Sequence, residues 1–252
     1  MDITIVELKI PNGSRTVYGN LYAPTASGKY PAMIVSHGYN DTNEYFAKEC
    51  SYIAQHGYVA YAFDFCGGSV NSKSTGSSTD MTITSEKEDL LAVLDYIKAL
   101  DNVDSNNVVL LGGSQGGLVS SLAAAERADE VKALAMYFPA FCIHDDWAKK
   151  YKTPEDAPEQ FDFWGLTLGR GFVEDVQTLD VFGTIGNFKG DVLILHGDKD
   201  AIVPYSYSER AVEAYENAEL IKMPCEGHGF SMQGGQTAKE KVLDFLDKET
   251  KQ

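Results

Sequence analysis

The sequence predicts a doubly wound α/β fold, in which a mostly parallel eight-stranded sheet carries helices on both faces. One observation is a series of short, continuously apolar runs, which are typical of strands covered on both sides. They span residues 32–35, 58–63, 108–111, 131–137 and 192–195. The other observation is that segments with helical periodicity alternate with these runs, which implies right-handed crossovers. The predicted helices span residues 44–56, 85–100, 116–127, 206–217 and 237–248.

The remaining strands and one long interruption complete the predicted single domain of residues 1–252. Residues 3–10 and 17–22 alternate between apolar and polar side chains, and with the turn at 11–14 they predict a hairpin at a sheet edge. A last strand is expected at 220–223. Between about 140 and 189 no strand-like run occurs although aromatic residues are frequent, so we expect an inserted cap of short helices or a small hairpin. Its aromatic side chains either form the core of the cap or line a pocket.

The composition excludes several classes of partner. The net charge is −16 and the basic residues are scattered, so we expect no binding to nucleic acid. No apolar run approaches the roughly 20 residues that span a bilayer, so no membrane partner is expected. The N-terminus lacks the basic-then-apolar layout of a signal peptide, which predicts a cytoplasmic protein. The four cysteines show no metal-ligand spacing, so we expect neither zinc nor a disulfide framework.

The clearest chemical signal is a serine placed between a buried strand and an Ala-rich helix. Residues 112–116 form a G-x-S-x-G motif centred on Ser114. The motif alone is weak, but the strand before it and the helix after it predict a sharp turn that exposes the hydroxyl beside a helix N-terminus. Ser114 is therefore the predicted nucleophile.

A serine hydroxyl needs a base, and the chain offers five histidines. His228 follows the last predicted strand, in a loop that can aim its imidazole at Ser114, and the chain order Ser, acid, His favours it. His56 is better explained as a helix-capping residue, and His144 as an exposed residue of the cap. His37 and His196 directly follow strands, where we expect them to pack or to form hydrogen bonds at the sheet edge.

The acid that orients His228 should leave the end of the preceding strand, where two aspartates occur. We favour Asp200 over Asp198, which we interpret as a turn residue that hydrogen-bonds its own loop. A buried carboxylate beside the histidine fixes the tautomer and stabilises the imidazolium.

These motifs resemble those of the α/β-hydrolase superfamily over essentially the whole chain. The matching segments are residues 37–39, 112–116, 200–203 and 227–230. The resemblance implies an α/β-hydrolase fold with an inserted cap, and it supports Asp200 because the family's acid lies at this position of a D-x-x-V turn. It also implies an oxyanion hole made of the backbone amides of Tyr39 and Gln115.

More narrowly, the chain is similar to the cinnamoyl and feruloyl esterases of gut bacteria. The shared segments are residues 62–65, 80–82 and 166–169, together with the size of the insertion. The resemblance implies that the cap covers an aromatic acyl group and that a cap aspartate, here Asp146, binds the ring hydroxyl. Two segments depart from the pattern: Gly113 stands where His or Ala is common, and residues 66–69 replace the usual G-x-G-x-S loop.

The sequence therefore predicts a serine esterase that forms an acyl-enzyme on hydroxycinnamoyl or other aromatic small-molecule esters, without metal or organic cofactor. We expect Asp146, Trp147, Phe163 and Trp164 to bind the substrate. A prolyl-oligopeptidase-like peptidase or a thioesterase is the alternative, because both use the same machinery. A non-catalytic binding module is a second alternative. The oligomeric state stays open, with a homodimer as one option.

Overall fold

An eight-stranded sheet forms the centre of the structure, a computed structural model that describes residues 1–251. Its strand order is β1-β2-β4-β3-β5-β6-β9-β10, and the strands are parallel except that β2 runs antiparallel to both β1 and β4. The strands of the chain are β1 Ile3–Asn12, β2 Arg15–Pro24, β3 Tyr30–Ser36, β4 Val59–Phe63, β5 Val103–Gly113, β6 Ala133–Tyr137, β7 Gln160–Phe163, β8 Leu166–Gly169, β9 Asp191–Gly197 and β10 Ala218–Met223.

Helices cover both faces of this sheet. Neighbouring residues on one strand face opposite cores: Ile34 belongs to one hydrophobic cluster, and Met33 and Val35 belong to the other. Short 3₁₀ helices occur at Asn43–Phe46 and Pro154–Asp156. The α-helices are α1 Ala47–Gln55, α2 Ile83–Lys98, α3 Gln115–Glu126, α4 Ile143–Lys150, α5 Arg170–Thr178, α6 Val181–Ile185, α7 Ser206–Ala214 and α8 Met232–Thr250. The predicted doubly wound α/β fold is confirmed.

Most differences from the sequence prediction concern the ends of elements. The N-terminal hairpin has a tighter turn than residues 11–14, because Pro11 still pairs with Thr16 and Gly13 takes a φ of 59° at the reversal. The last helix begins at Met232, five residues before its predicted start at 237, because the Ser231 side chain accepts a hydrogen bond from the amide of Gly234 and caps it.

The segment between β6 and β9 forms the cap over the carboxyl ends of the strands. It contains α4, the hairpin β7–β8, α5 and α6, so both short helices and a small hairpin are present. Trp147 is 5% exposed, and its ring contacts four other aromatic rings of the cap. Those rings belong to Tyr151, Phe161, Phe163 and Phe172. The aromatic residues of the insertion therefore pack a small core of their own.

Among the described residues, no helix combines the length and the apolarity that crossing a membrane requires.

Candidate active site

Ser114 lies on the tight turn from β5 into α3, at the carboxyl edge of the sheet. Its backbone angles are φ 52° and ψ −120°, which a residue with a side chain adopts only where the surrounding structure enforces it. The turn is compact, because a Cβ at Gly116 would collide with the backbone of Ser36 and His37. At Gly113 a Cβ would lie 2.9 Å from the Phe46 ring, so glycine is the residue that fits this variant of the motif.

His228 bridges the serine and an acid. Its Nε2 lies 2.9 Å from the Ser114 hydroxyl, and its Nδ1 lies 2.8 Å from Oδ2 of Asp200. The Phe138 ring packs against the imidazole, with ring centroids 4.5 Å apart. Because Nδ1 donates to a carboxylate, Nε2 is left as the acceptor that can take the serine proton.

The Asp200 side chain is fully buried, at 0% exposure, and both of its oxygens are occupied. Oδ1 accepts the amides of Ile202 and Val203 at 2.8 and 2.9 Å, and Oδ2 faces His228 and His196. Burial acts to raise the pKa of Asp200, but the hydrogen bonds from the two histidines and the two amides outweigh it and hold the pKa well below its usual range. Asp200 is therefore ionised at neutral pH.

His196 is a second histidine on this carboxylate. Its Nε2 lies 3.2 Å from Oδ2 of Asp200 and 3.1 Å from the carbonyl oxygen of Val203, and its Nδ1 lies 2.7 Å from the Ser208 hydroxyl. Two acceptors face Nε2, so this nitrogen carries the proton and Ser208 donates to Nδ1. The sequence predicted that His196 packs or forms hydrogen bonds at the sheet edge, and it did not identify the partner. The spacing of four residues between His196 and Asp200 is the one available signal.

Asp198 lies outside this hydrogen-bonded chain. Its Oδ1 accepts the amide of Cys225 at 2.7 Å, so it connects the loop after β9 to the loop that carries His228. We had expected Asp198 to bond within its own loop, and its partner lies instead on the neighbouring loop because the two loops meet at the sheet edge.

The predicted oxyanion-hole amides belong to Tyr39 and Gln115. Gln115 is the first residue of α3, so its N–H has no partner within the helix, and the Tyr39 N–H donates no hydrogen bond to the described chain. His37 accepts the Phe65 amide at Nε2, so its Nδ1 carries the proton and donates to the Gly38 carbonyl at 2.7 Å. In a trans peptide this orientation turns the Tyr39 N–H away from His37. Burial lowers the pKa of His37, which keeps the ring neutral.

The side chain of Gln115 is held in place by a hydrogen bond to the buried carboxyl group of Glu86. Its Nε2 donates to Oε2 of Glu86 at 2.8 Å, and Glu86 is 1% exposed. Burial raises the pKa of Glu86 to about 8, with smaller contributions from the nearby charges of Asp89 and Asp175, and the bond from Gln115 only partly opposes this. Sequence reasoning missed Glu86, because a single acid within an amphipathic helix carries no distinguishing pattern.

A cavity of about 340 Å³ opens from Ser114 beneath the cap. Its lining is largely aromatic and aliphatic, with the Asp146 carboxylate as its charged group. It is lined by all four predicted substrate-binding residues: Asp146, Trp147, Phe163 and Trp164. Trp147 thus serves both the core of the cap and the cavity, whereas Trp164 is 63% exposed at the rim.

A serine on a strand-to-helix turn, with an acid and a histidine on loops after later strands, defines a protein of the α/β-hydrolase fold. The chain belongs to the prolyl oligopeptidase family, whose sequence profile matches residues 44–252. The resemblance to α/β hydrolases predicted from the sequence is confirmed, and the chain is a hydrolase of this fold.

Similar proteins span nearly the whole chain. A structure of Est1E from Butyrivibrio proteoclasticus with ferulic acid bound is 29% identical and superposes with a TM-score of 0.89, over 97% of this chain and 100% of that one. A putative carboxymethylenebutenolidase from Synechocystis is 27% identical over 91% of this chain and 87% of its own. The α/β hydrolase GrgF from a Penicillium species, at 18% identity and a TM-score of 0.81 over both whole chains, shares the fold.

Proposed function

We propose that the chain is a serine carboxylesterase that cleaves esters of hydroxycinnamic or other aromatic acids through an acyl-enzyme. The observation that carries this proposal is the hydrogen-bonded series Ser114, His228 and Asp200 at the mouth of an aromatic cavity. The similarity to a structure that holds ferulic acid supports the same acyl class.

In the proposed reaction, Ser114 Oγ attacks the ester carbonyl while His228 Nε2 takes its proton. The amides of Tyr39 and Gln115 stabilise the oxyanion of the tetrahedral intermediate. His228 then protonates the departing alkoxide, and the carbon–oxygen bond to the alcohol breaks. Water activated by the same imidazole attacks the acyl-enzyme, which releases the acid and restores the serine. The buried charge of Asp200 stabilises the His228 imidazolium during both acylation and deacylation.

The cavity beneath the cap, which we call the acyl cavity, fits a planar aromatic acid. Trp147, Phe163 and Phe172 offer ring faces and edges, and an aromatic contact contributes about 0.5–1.5 kcal/mol beyond the buried area. Asp146 has its carboxylate on the cavity wall, in ion-pair range only of exposed Lys149 at 3.9 Å within residues 1–251. A ring hydroxyl of the substrate would donate a hydrogen bond to Asp146.

The test is a hydrolysis panel of methyl ferulate, a butyrate ester, an aryl thioester and an Xaa-Pro amide. We expect methyl ferulate to be cleaved with a kcat/KM about one to two orders of magnitude above that of the butyrate ester, since several ring contacts favour it. Ser114→Ala should lower kcat by about 10⁴ to 10⁶. Faster cleavage of the butyrate ester than of methyl ferulate would contradict the preference for aromatic acids, and the chain would then be a general carboxylesterase.

The family match favours one second candidate, a peptidase of the prolyl-oligopeptidase type. Preferential cleavage of the Xaa-Pro amide would establish it in place of the esterase. A binding module that lacks catalysis would show no labelling of Ser114 by a fluorophosphonate probe, whereas each enzymatic function predicts labelling that Ser114→Ala abolishes.

A further inference from the structure

A second cavity, of about 180 Å³, opens on the other side of Ser114. It shares Tyr39, Ser114 and Trp164 with the acyl cavity, but it also contains His228 and Gly229, which the acyl cavity lacks. Its floor is aromatic, because Phe46 and Phe138 are 1% and 3% exposed, and Tyr45 stands at its rim. We call this space the alcohol cavity, because the position of His228 assigns the alcohol of an ester to it.

The position of His228 decides which part of an ester each cavity receives. The imidazole that takes the serine proton must later give a proton to the leaving oxygen, so the leaving group lies on the same side as His228. Under the proposed esterase function, on which this inference rests, the cavity lined by His228 therefore holds the alcohol and the cavity under the cap holds the acid.

The alcohol cavity has a distinct charge. Asp41 contributes a carboxylate to its wall, and no lysine or arginine of the described chain lines it. Oδ1 of Asp41 accepts the Thr42 amide at 2.8 Å, and the side chain forms no ion pair within residues 1–251. A cationic group placed here would meet one carboxylate and several aromatic faces, which together form a favourable environment for an ammonium. An anionic group would be repelled by Asp41 and would find no lysine or arginine in the lining to pair with.

We propose that the alcohol cavity selects leaving groups by charge, binding alcohols that carry an ammonium group and disfavouring anionic alcohols, with Asp41 as the specificity-determining residue. Phe46, Phe138 and Tyr45 give the cavity an aromatic lining that suits the apolar shell of a quaternary ammonium, and Asp41 supplies the opposite charge. No step of the chemistry changes, because the ammonium group is only bound and His228 still protonates the alcohol oxygen.

The experiment compares three cinnamate esters that differ in the charge of the alcohol. They are the choline ester, its uncharged 3,3-dimethylbutyl analogue and the ester of 4-hydroxybutanoate. We expect Asp41→Asn to lower the ratio of kcat/KM for the choline ester over the dimethylbutyl ester on the order of tenfold relative to the wild type. It should raise relative cleavage of the anionic ester. Comparing each ratio between variants cancels the different intrinsic reactivities of the esters, and salt should weaken the effect.

Glu44→Gln is the matched control, because it removes the same charge from an exposed side chain that faces Lys73 at 3.9 Å and lies outside both cavities. It should leave all ratios as in the wild type. If Asp41→Asn cleaves the dimethylbutyl ester normally yet leaves the choline ratio unchanged, charge selection by Asp41 is wrong and the esterase function stands. If the wild type cleaves methyl ferulate but none of the three esters, charge selection in the alcohol cavity is wrong and the esterase function stands. If it cleaves neither these esters nor methyl ferulate, the proposed function itself fails.

Discussion

Asp200 is the residue on which the geometry of the site depends most. Its carboxylate faces four hydrogen-bond donors, of which His228 is the one that reaches Ser114. The Asp200 carboxylate thus holds both its own loop, through the backbone amides, and the His228 imidazole. Each hydrogen bond to this buried charge is worth about 1.5–3 kcal/mol.

Asp200→Asn should lower kcat by roughly 10⁴, because an amide cannot stabilise the imidazolium and it favours the wrong tautomer. Asp198→Asn should change kcat far less, because its Oδ1 contacts only the Cys225 amide. Steady-state kinetics on an ester that the wild type cleaves would check both variants. The reverse ranking would transfer the role of the acid to position 198.

His196 should behave as a positioning residue. His196→Leu removes the Nε2 donor to Asp200, and we expect kcat to fall by about 10- to 100-fold, the value of one charge-assisted hydrogen bond, while KM changes little. Ser208→Ala is the comparison, because it removes the partner of Nδ1 and leaves the bond to Asp200 in place. An unchanged kcat in His196→Leu, or a larger loss in Ser208→Ala, would argue against the positioning role.

The sequence predicted those site residues that belong to a recognisable local motif or follow a predicted strand. Ser114 has a motif, and His228 is favoured by its order in the chain. The order left two aspartates open, and the D-x-x-V turn of the family resemblance supported Asp200 over Asp198. The partners of His196 and Glu86 could not be predicted, because they depend on contacts that form only once the fold brings separate segments together. Glu86 meets Gln115 from a different helix, 29 residues earlier in the chain.

Among the elements, α2 and α3 are coupled through a buried carboxyl group. Glu86 on α2 is removed from solvent by its packing against the turn at Ser114, and its raised pKa of about 8 is the electrostatic consequence. In the unfolded chain the same group ionises near its ordinary value. The folded state therefore binds one more proton than the unfolded state between those two pKa values.

Glu86→Gln should consequently be more stable than the wild type at alkaline pH and similar to it near pH 5. The contribution of Glu86 to wild-type stability should fall by up to about 1.4 kcal/mol per pH unit between the two pKa values and level off above pH 8, whereas glutamine keeps the bond from Gln115 without a charge. Urea unfolding of both proteins from pH 5 to pH 9 would measure the difference. A gap that stays constant or narrows as the pH rises would contradict this account.

The order and type of the main elements could be predicted because buried parallel strands and amphipathic helices have different periodicities. The detail within the cap could not. Strands β7 and β8 have four residues each, too few for a periodic signal. The rings of Phe161 and Phe163 on β7 pack against Trp147 of α4, which fixes the hairpin in the cap. Such packing between distant positions of a chain is invisible to a local pattern.

At the scale of the whole molecule, the cap and the sheet share one hydrophobic cluster. Phe172 and Val176 of α5 pack in the same core as Leu110 of β5. The two tryptophans of the chain both lie in the cap, so their fluorescence follows the cap, while the helical circular dichroism follows the entire fold.

We expect the two signals to change together on thermal or urea unfolding of the wild type, as one cooperative transition. Trp147→Ala should separate them, because loss of a buried aromatic side chain costs about 3–5 kcal/mol and this cost falls on the cap. Fluorescence of the remaining Trp164 would then change before the circular dichroism. Separate transitions in the wild type would show that the cap is an independent folding unit.

Substitutions at position 39 should change selectivity without removing the proposed oxyanion donor. Under the proposed function the backbone N–H of Tyr39 binds the oxyanion, while its side chain lines both cavities and donates to the Phe163 carbonyl. A substitution at this position changes the shape of both cavities but keeps the backbone N–H that is proposed to bind the oxyanion. Laboratory evolution of new substrate ranges should therefore draw on position 39 more readily than on His37, whose ring orients the neighbouring peptide. Under the proposed function, position 39 serves catalysis through its backbone N–H and selectivity through its side chain.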